Sequence, residues 1–404
     1  MIYRFLTGIQ WGDEGKGGIT DLFCSLKPTV GVRFQGGPNA GHTLYNNSHK
    51  RVLHQVPSSV VSENSLSFIG NGCVIDPVAL LEEIEELRST GLTITPSNLV
   101  ISDRAHIISP YHIAKDKLLY QEKFGTTGKG IGPCYESKYK RNGIRFTDFI
   151  NSLLDKESVE DRLEASPEEI AYVNDNGLWE KFRVSVLTVL SYVKDVPPLL
   201  ARIKSSGAYQ ILFEGAQGFG LDIDHGDYPF ISTSNSSIGG AYTGSGIFLD
   251  FHQRIGVFKA YSTKVGEGPF LSHDIFPFDD EIRGKGEEFG ATTGRPRKCG
   301  WLDCAQIKRS MLVNGLSHLI MTKLDVLTGL PYVGFCYPVT GGVLVRTMNG
   351  WTQDIRGAKT MDSLPVECLE FVKAIENVLE APISLLGTGP DREDYILRDE
   401  SLMV

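Results

Sequence analysis

The 404-residue chain lacks several features that mark large classes of proteins. It has no run of about 18 apolar residues, the length that a membrane-spanning helix needs. It has no long run of lysine and arginine, and its formal charge of −9 argues against electrostatic binding of nucleic acid. Its first residues, MIYRFLTGIQWG, lack the layout of a signal peptide. We therefore expect a cytoplasmic protein that acts on neither membranes nor nucleic acids.

Cysteines are few, and their spacing along the sequence shows no paired motif. The seven cysteines are odd in number, scattered, and include no C-x-x-C pair. This pattern argues against a disulfide framework and against a zinc site. The expectation is a set of reduced thiols.

Glycine, by contrast, is in excess, with 44 residues against the roughly 7% of an average protein. The glycines fall in separate clusters that follow short apolar runs. Because glycine lets the backbone approach a ligand closely, this distribution predicts a large ligand-binding surface built from loops.

Short apolar runs alternate with amphipathic helical patterns along the chain. This alternation predicts an α/β fold with a mostly parallel central sheet, flanking helices and ligand loops at the carboxyl ends of the strands. We expect one catalytic domain over residues 1–404, with a helix-rich excursion at about 145–205. Helical patterns are clearest at Pro77–Arg88 and Glu168–Leu200, and the predicted strands are Ile2–Leu6, Val30–Phe34, Leu66–Ile69, Leu99–Ser102, Ile211–Phe213, Ile255–Ala260, His318–Met321 and Ile383–Leu386.

The segment GIQWGDEGKGGIT, residues 8–20, follows the first predicted strand and has the character of a phosphate-binding loop. Its glycines, Lys16 and a helix that we expect to begin near Ile19 would all attract anions, as in P-loop nucleotide sites. It departs from the usual P-loop because Gly17 replaces the Ser or Thr that binds magnesium. Asp13 explains this departure if it binds the metal itself or takes a proton from a nucleophile.

Three further segments carry polar groups among glycines. TKLDVL, residues 322–327, has the TKxD form of loops that read guanine, and together with the phosphate loop it predicts GTP. His42 in FQGGPNAGHT either stabilises a transferring group or lies on a surface turn, and these two interpretations are equally weighted. GTTGKGIGP with the cations of KYKRNG is either an anion site or a solvated basic face.

Taken together, the motifs resemble those of the adenylosuccinate synthetase family. The matching stretches are QWGDEGKG, GGPNAGHT, TTGKGIGP, FEGAQG, LDIDHG-YPF, KAYSTKVGEGPF, GATTGRPRKCGWLD, TKLDVL and TGPDR. They follow one another from residue 10 to residue 392, so the resemblance covers nearly the whole chain.

The resemblance implies a GTP-dependent ligase that condenses IMP with L-aspartate in purine (AMP) biosynthesis. The IMP oxygen would first take the γ-phosphoryl group of GTP, giving 6-phosphoryl-IMP, and the aspartate amine would then displace phosphate. Asp13 would be the catalytic base and, with the Gly41 carbonyl, a ligand of Mg²⁺. His42 would stabilise or protonate the transferring group. The active unit would be a homodimer in which Arg141 reaches across the interface.

The resemblance also assigns binding residues to each substrate. IMP would contact Asp13, Glu14, Gly15, Lys16, Asn39, Ala40, Gly41, His42, Thr127, Arg141, Gln217, Ser232 and Arg295. Aspartate would contact Ala291, Thr292, Thr293, Gly294, Arg295 and Arg297. GTP would contact Gly12, Asp13, Glu14, Gly15, Lys16, Gly17, Gly18, Gly41, His42, Thr43, Arg297, Lys323, Leu324, Asp325, Gly387, Thr388 and Gly389.

Four positions depart from the family pattern: Gly18 stands for a lysine, Asp227 and Ser232 for threonines, and Gly387 for a serine. These departures leave a close alternative open, a viral-type member of the family that condenses dGMP with aspartate. A remote alternative is a guanine-nucleotide-binding protein without catalytic activity, which would not need GATTGRPR or the GHT of residues 41–43.

Overall fold

The computed structural model describes residues 2–46, 49–152, 154–290, 294–339 and 342–404. Its strands are β1 Tyr3–Gly8, β2 Thr29–Arg33, β3 His42–Asn46, β4 His49–Leu53, β5 Leu66–Ile69, β6 Val74–Ile75, β7 Leu99–Ser102, β8 His106–Ile107, β9 Val193–Lys194, β10 Gln210–Gly218, β11 Gln253–Lys259, β12 Ser262–Lys264, β13 Lys298–Gly300, β14 Leu302–Asp303, β15 His318–Thr322, β16 Tyr332–Val339, β17 Gly342–Asn349, β18 Leu385–Gly387 and β19 Tyr395–Leu397.

The α-helices lie between these strands, and most are short. They are α1 Lys16–Leu26, α2 Pro77–Ser89, α3 Pro110–Lys115, α4 Gln121–Phe124, α5 Ile131–Lys140, α6 Phe146–Ser152, α7 Lys156–Leu163, α8 Pro167–Asp175, α9 Leu178–Val189, α10 Val196–Ser206, α11 Ile238–Ser245, α12 Leu271–Asp274, α13 Asp279–Lys285, α14 Cys304–Asn314 and α15 Val366–Leu379. One turn of π-helix, Asp116–Tyr120, joins α3 to α4.

A ten-stranded sheet organises the molecule, in the order β19-β18-β15-β11-β1-β10-β2-β5-β7-β9. Its neighbouring strands pair in parallel except β18 and β19, which are antiparallel. This confirms the predicted α/β fold and every strand predicted from an apolar run. Parallel strands with helices on both faces are buried on both sides, which explains why these strands are apolar without alternation.

The helical excursion is more broken than the sequence predicts. The pattern at Glu168–Leu200 is not one helix: α8 ends at Asp175, α9 ends at Val189, and β9 then joins the edge of the sheet before α10 begins. Gly177, at φ 59° between α8 and α9, ends the first helical run because few other residues adopt this conformation. The side chains of this region still pack as a core: α9 contacts α2, and Trp179, Phe182, Leu80 and Ile84 belong to one buried apolar cluster.

Within the described ranges, no helix is both long and apolar enough to cross a membrane.

Candidate active site

A cavity of about 1050 Å³ opens at the carboxyl edge of the main sheet. The loops that follow β1, β2, β10, β15 and β18 contribute its walls, as expected where parallel strands end together. The cavity is large enough for more than one small substrate. It is therefore the candidate active site.

The phosphate loop enters this cavity directly after β1. Helix α1 begins at Lys16, three residues earlier than predicted, so Gly17 and Gly18 belong to its first turn. The first amide groups of a helix have no partner within the helix, and here they lie in the cavity wall. Asp13 is held at φ 62°, an uncommon conformation for a residue with a side chain.

Glu14 does not point into the cavity. Its buried carboxylate accepts hydrogen bonds from the amides of Gln10 (3.1 Å) and Gly12 (2.9 Å) and pairs with Lys16 Nζ at 2.6 Å. A Cβ atom at Gly8 would lie 2.1 Å from this carboxylate, so glycine is required there. The carboxylate thus ties the loop together from beneath, and the charge of Lys16 is partly neutralised before any ligand binds.

Of the two neighbouring carboxylates in this loop, Asp13 is the one that lines the cavity. Its Oδ2 lies 2.9 Å from Arg297 Nε, and its side chain is 26% exposed. Within the described residues, no group of three or more His, Cys, Asp or Glu side chains could hold a metal ion. Mg²⁺ accepts one or two protein oxygens when phosphates and water complete its shell, so Asp13 and the Gly41 carbonyl fit such a site chemically.

His42 is fixed by a second buried carboxylate that the sequence does not single out. Its Nδ1 lies 2.5 Å from Glu214 Oε1, and Glu214 also accepts hydrogen bonds from the Ser58 amide (2.9 Å) and hydroxyl (2.5 Å). Nε2 of His42 is buried without a hydrogen-bond partner, and the residue lines the cavity. The geometry favours a catalytic histidine over a surface turn, because Glu214 orients the ring and leaves Nε2 for a ligand.

Glu214 stays ionised in this environment. Burial alone would raise the pKa of its carboxyl, but His42, the charge of Arg33 and the Ser58 hydroxyl lower that pKa to about 2. The FEGAQG motif carried a signal for this residue, since a glutamate within an otherwise apolar buried strand needs a partner.

The turn predicted to read guanine lines the same cavity as Gly125, Thr126 and Thr127. Lys323 follows β15 at φ 58°, and Asp325 is 8% exposed with Arg356 Nε 3.7 Å from its Oδ2. Burial raises the pKa of Asp325, although the charges of Arg356 and Lys323 oppose the change. A buried carboxylate of this kind is stabilised most by a ligand that donates two N–H hydrogen bonds to it.

Most of the site residues predicted from the sequence meet in this cavity. Its lining includes Gly12, Asp13, Gly15, Lys16, Gly17, Gly18, Asn39, Ala40, Gly41, His42, Thr43, Thr127, Gln217, Ser232, Arg295, Arg297, Lys323, Asp325, Gly387 and Gly389. The structure places Glu14, Arg141, Gly294, Leu324 and Thr388 outside the lining. Ala291, Thr292 and Thr293 lie outside the described residues.

Two contacts connect the walls. Gln217 Nε2 donates to Asn39 Oδ1 at 3.0 Å, which joins the end of β10 to the loop after β2. Arg295 Nη1 donates to the Gly125 carbonyl at 3.2 Å, which joins the proposed aspartate loop to the 125–130 loop.

A parallel α/β sheet whose carboxyl edge combines a glycine-rich loop with Lys16, a TKxD turn and a carboxylate-held histidine is typical of a guanine-nucleotide-dependent enzyme. The family model for adenylosuccinate synthetase matches residues 5–396. The chain belongs to the adenylosuccinate synthetase family, and it is accordingly a GTP-dependent ligase.

Comparisons with individual proteins support the same family. The adenylosuccinate synthetase of Pasteurella multocida is 42% identical and that of Caldanaerobacter subterraneus is 39% identical, each match covering 98% of this chain and at least 98% of the relative. The fully ligated adenylosuccinate synthetase of Plasmodium falciparum is 32% identical, with a TM-score of 0.85 over 98% of this chain and 99% of that one.

A viral enzyme shares the fold at greater distance. The succinoaminodeoxyadenylate synthetase of cyanophage S-2L, bound to dGMP and to dATP as an energy donor, is 20% identical. Its TM-score is 0.63 over 98% of this chain and 95% of that one. The comparisons therefore favour the adenylosuccinate synthetase interpretation over the viral-type alternative, and membership in a ligase family favours it over a non-catalytic binding protein.

Proposed function

We propose that the cavity condenses IMP with L-aspartate at the expense of GTP, with Asp13 and His42 as its catalytic residues. The observation that carries the proposal is the convergence of Asp13, the Glu214-held His42 and Asp325 on one cavity. An acid–base pair and a guanine reader in one site fit a reaction that transfers the γ-phosphoryl group of GTP to a purine oxygen.

In the first step, Asp13 takes the proton from N1 of IMP. The electron pair moves toward the 6-oxygen, which attacks the γ-phosphorus, and the bond to the GDP oxygen breaks. Nε2 of His42 lies in the wall where it can donate to the transferring group once protonated. Preorganised groups aimed at developing charge are the main source of catalysis in phosphoryl transfer.

In the second step, the aspartate amine attacks C6 and phosphate leaves. Arg295 and Arg297 are suited to the carboxylates of aspartate because a guanidinium fork offers two parallel donors. Asp13 and the Gly41 carbonyl would hold Mg²⁺, which would neutralise charge on the phosphate oxygens. Asp13 must exchange its contact with Arg297 for substrate and metal before this chemistry begins.

The test is a product assay with purified protein. Aspartate, GTP and magnesium are supplied with IMP, dGMP, GMP or XMP, and phosphate release and product mass are followed. Adenylosuccinate should form from IMP, and phosphate release should depend on aspartate. Phosphate release without aspartate, or no release at all, would contradict the proposal.

We expect IMP to be preferred over dGMP by more than tenfold in kcat/KM. The carboxylate of Asp227, one of the departures that favoured guanine, accepts from Trp11 Nε1 at 2.7 Å and pairs with Lys264 at 3.2 Å. It lines a smaller neighbouring cavity and is not free to receive a C2 amine in the main one. A C2 amine that finds no acceptor should cost more than about 1.4 kcal/mol of binding free energy, which corresponds to a factor of ten in kcat/KM. Equal or better turnover of dGMP would reverse the assignment.

We also propose a cytoplasmic homodimer in which Arg141 serves the partner's site. All seven cysteines are free and buried, as suits a reducing compartment. Arg141 caps α5 at φ 68°, and its exposed side chain lies outside the lining of its own cavity.

Mixing two inactive variants tests this arrangement. Asp13→Asn and Arg141→Leu subunits should each be inactive alone, whereas a hybrid dimer contains one site with both residues intact. Activity should therefore return to roughly a quarter of wild type, since half of the dimers are hybrids and each has one working site. Subunit exchange is verified by native mass spectrometry. No recovery despite exchange would place Arg141 in its own subunit's site or in none.

A further inference from the structure

A third carboxylate, Glu288, lies behind the active site and has no role in the mechanism above. It follows α13 and precedes the loop of the proposed aspartate site. Its side chain is fully buried and lies outside the cavity lining.

Four side chains converge on this carboxylate. Arg297 Nη1 donates to Oε2 at 2.5 Å, and the Tyr261 hydroxyl donates to Oε1 at 2.6 Å. Lys259 Nζ donates to Oε2 at 3.1 Å, and Lys323 Nζ lies 3.2 Å from Oε1. Burial raises the pKa of a carboxyl, but Lys259, Lys323 and Arg297 together hold the pKa of Glu288 well below its usual range.

Two of these partners belong to different parts of the active site. Arg297 uses Nε to reach Asp13 at 2.9 Å while Nη1 stays on Glu288. Lys323 begins the turn that carries Asp325, and its Nζ also donates to the Gly286 carbonyl. Glu288 therefore pairs both with Arg297, the partner of Asp13, and with Lys323, the first residue of the turn that carries Asp325.

We propose that Glu288 is a positioning residue that couples GTP recognition to the catalytic carboxylate. When substrate and metal take Asp13 away from Arg297, Glu288 keeps the guanidinium in place for the incoming ligands. The same carboxylate positions the Lys323 side chain, and thereby the turn that would read guanine. This inference rests on the proposed function, because it treats Asp13 and Asp325 as parts of one reaction site.

Glu288→Gln should lower kcat and raise KM for GTP and for aspartate, each by about tenfold to a hundredfold, the range for lost hydrogen bonds to charged groups. KM for IMP should stay within about twofold, because Asn39 and Thr127 are not among the four side chains that hold Glu288, and Asp13 reaches it only through Arg297. Equal changes in all three KM values, or none, would contradict a positioning role.

The substitution also leaves three cations near one another without their carboxylate, which lowers the stability of the folded protein. Glu288→Gln combined with Lys259→Met removes one buried cation as well, and methionine fills the space of the lysine stem. We expect the double variant to melt near the temperature of Lys259→Met alone, yet to keep a GTP KM at least tenfold above that single variant. A double variant whose KM values match those of Lys259→Met would show that Glu288 only stabilises the fold.

A matched control removes a similar ion pair whose two residues lie outside the cavity lining. Glu376 pairs with Arg398 at 2.5 Å and is also mostly buried, and Glu376→Gln should leave all three KM values unchanged. If it raised the GTP KM as Glu288→Gln does, general loosening of the fold would explain both.

Calorimetric titration with a non-hydrolysable GTP analogue and magnesium separates this inference from the proposed function. If wild-type protein binds the analogue but does not condense IMP with aspartate, the proposed reaction fails. The comparison of Glu288→Gln/Lys259→Met with Lys259→Met still decides the role of Glu288. Weaker binding by the double variant supports the role, and equal binding overturns it.

Discussion

Asp13→Asn should abolish turnover, with a loss of at least about 10²–10⁴ in kcat, because one substitution removes the proposed base and a metal ligand together. The structure makes this a clean test. Asparagine tolerates the φ of 62° that Asp13 adopts, so the backbone of the loop can be kept. The measurement is steady-state phosphate release at saturating IMP, aspartate and GTP.

The control is a carboxylate in the same backbone conformation elsewhere. Glu380 lies at φ 57° after α15, is 78% exposed and pairs with the exposed Lys308, so Glu380→Gln should keep wild-type activity. Circular dichroism and melting temperature show whether Asp13→Asn has folded. A folded Asp13→Asn enzyme with more than a tenth of the wild-type kcat would remove Asp13 from the catalytic role.

Asp325→Asn should weaken the binding of GTP and favour the use of XTP. In the proposed site the carboxylate would accept from the N1–H and exocyclic amine of guanine, whereas an amide would offer a donor to the oxygen that xanthine carries at C2. Each lost charge-assisted bond is worth roughly 1.5–3 kcal/mol, so KM for GTP should rise about tenfold to a hundredfold per bond. The measurement compares kcat/KM for GTP and XTP in wild type and variant.

This experiment contains its own control. General damage to the site would lower kcat/KM for both nucleotides, whereas a change of base recognition moves the two values in opposite directions. KM for IMP should be unaffected. An unchanged KM for GTP would show that Lys323, Leu324 and Asp325 do not form the base-reading loop.

The pH dependence of GTP binding follows from the same residue. In the proposed site guanine recognition would need ionised Asp325, and burial raises the pKa of this carboxyl. GTP affinity should therefore begin to fall, as pH is lowered, at a higher pH than an ordinary aspartate would give. Asp325→Asn should lose this dependence, which titration calorimetry across acidic pH can measure.

Local sequence determined the parts of this protein that depend on a few consecutive residues. Apolar runs placed the parallel strands, because a strand buried on both faces needs continuous apolar side chains. Glycines around Asp13 and Lys16 indicated the phosphate loop, and TKLD indicated the guanine-reading turn. The order of the motifs then identified the family, and strand ends on one sheet edge explain why their loops meet.

Only the tertiary structure decided how side chains from distant parts of the sequence are arranged at the carboxyl edge of the sheet. Glu14 and Asp13 are neighbours of equal charge, yet one is buried beneath the loop with Lys16 and the other faces the cavity. Glu214 and Glu288 acquire their roles from partners far along the chain, such as His42 and Lys323. Pairings between remote residues leave no periodic signal, because burial of a charge depends on which cations the fold brings to it.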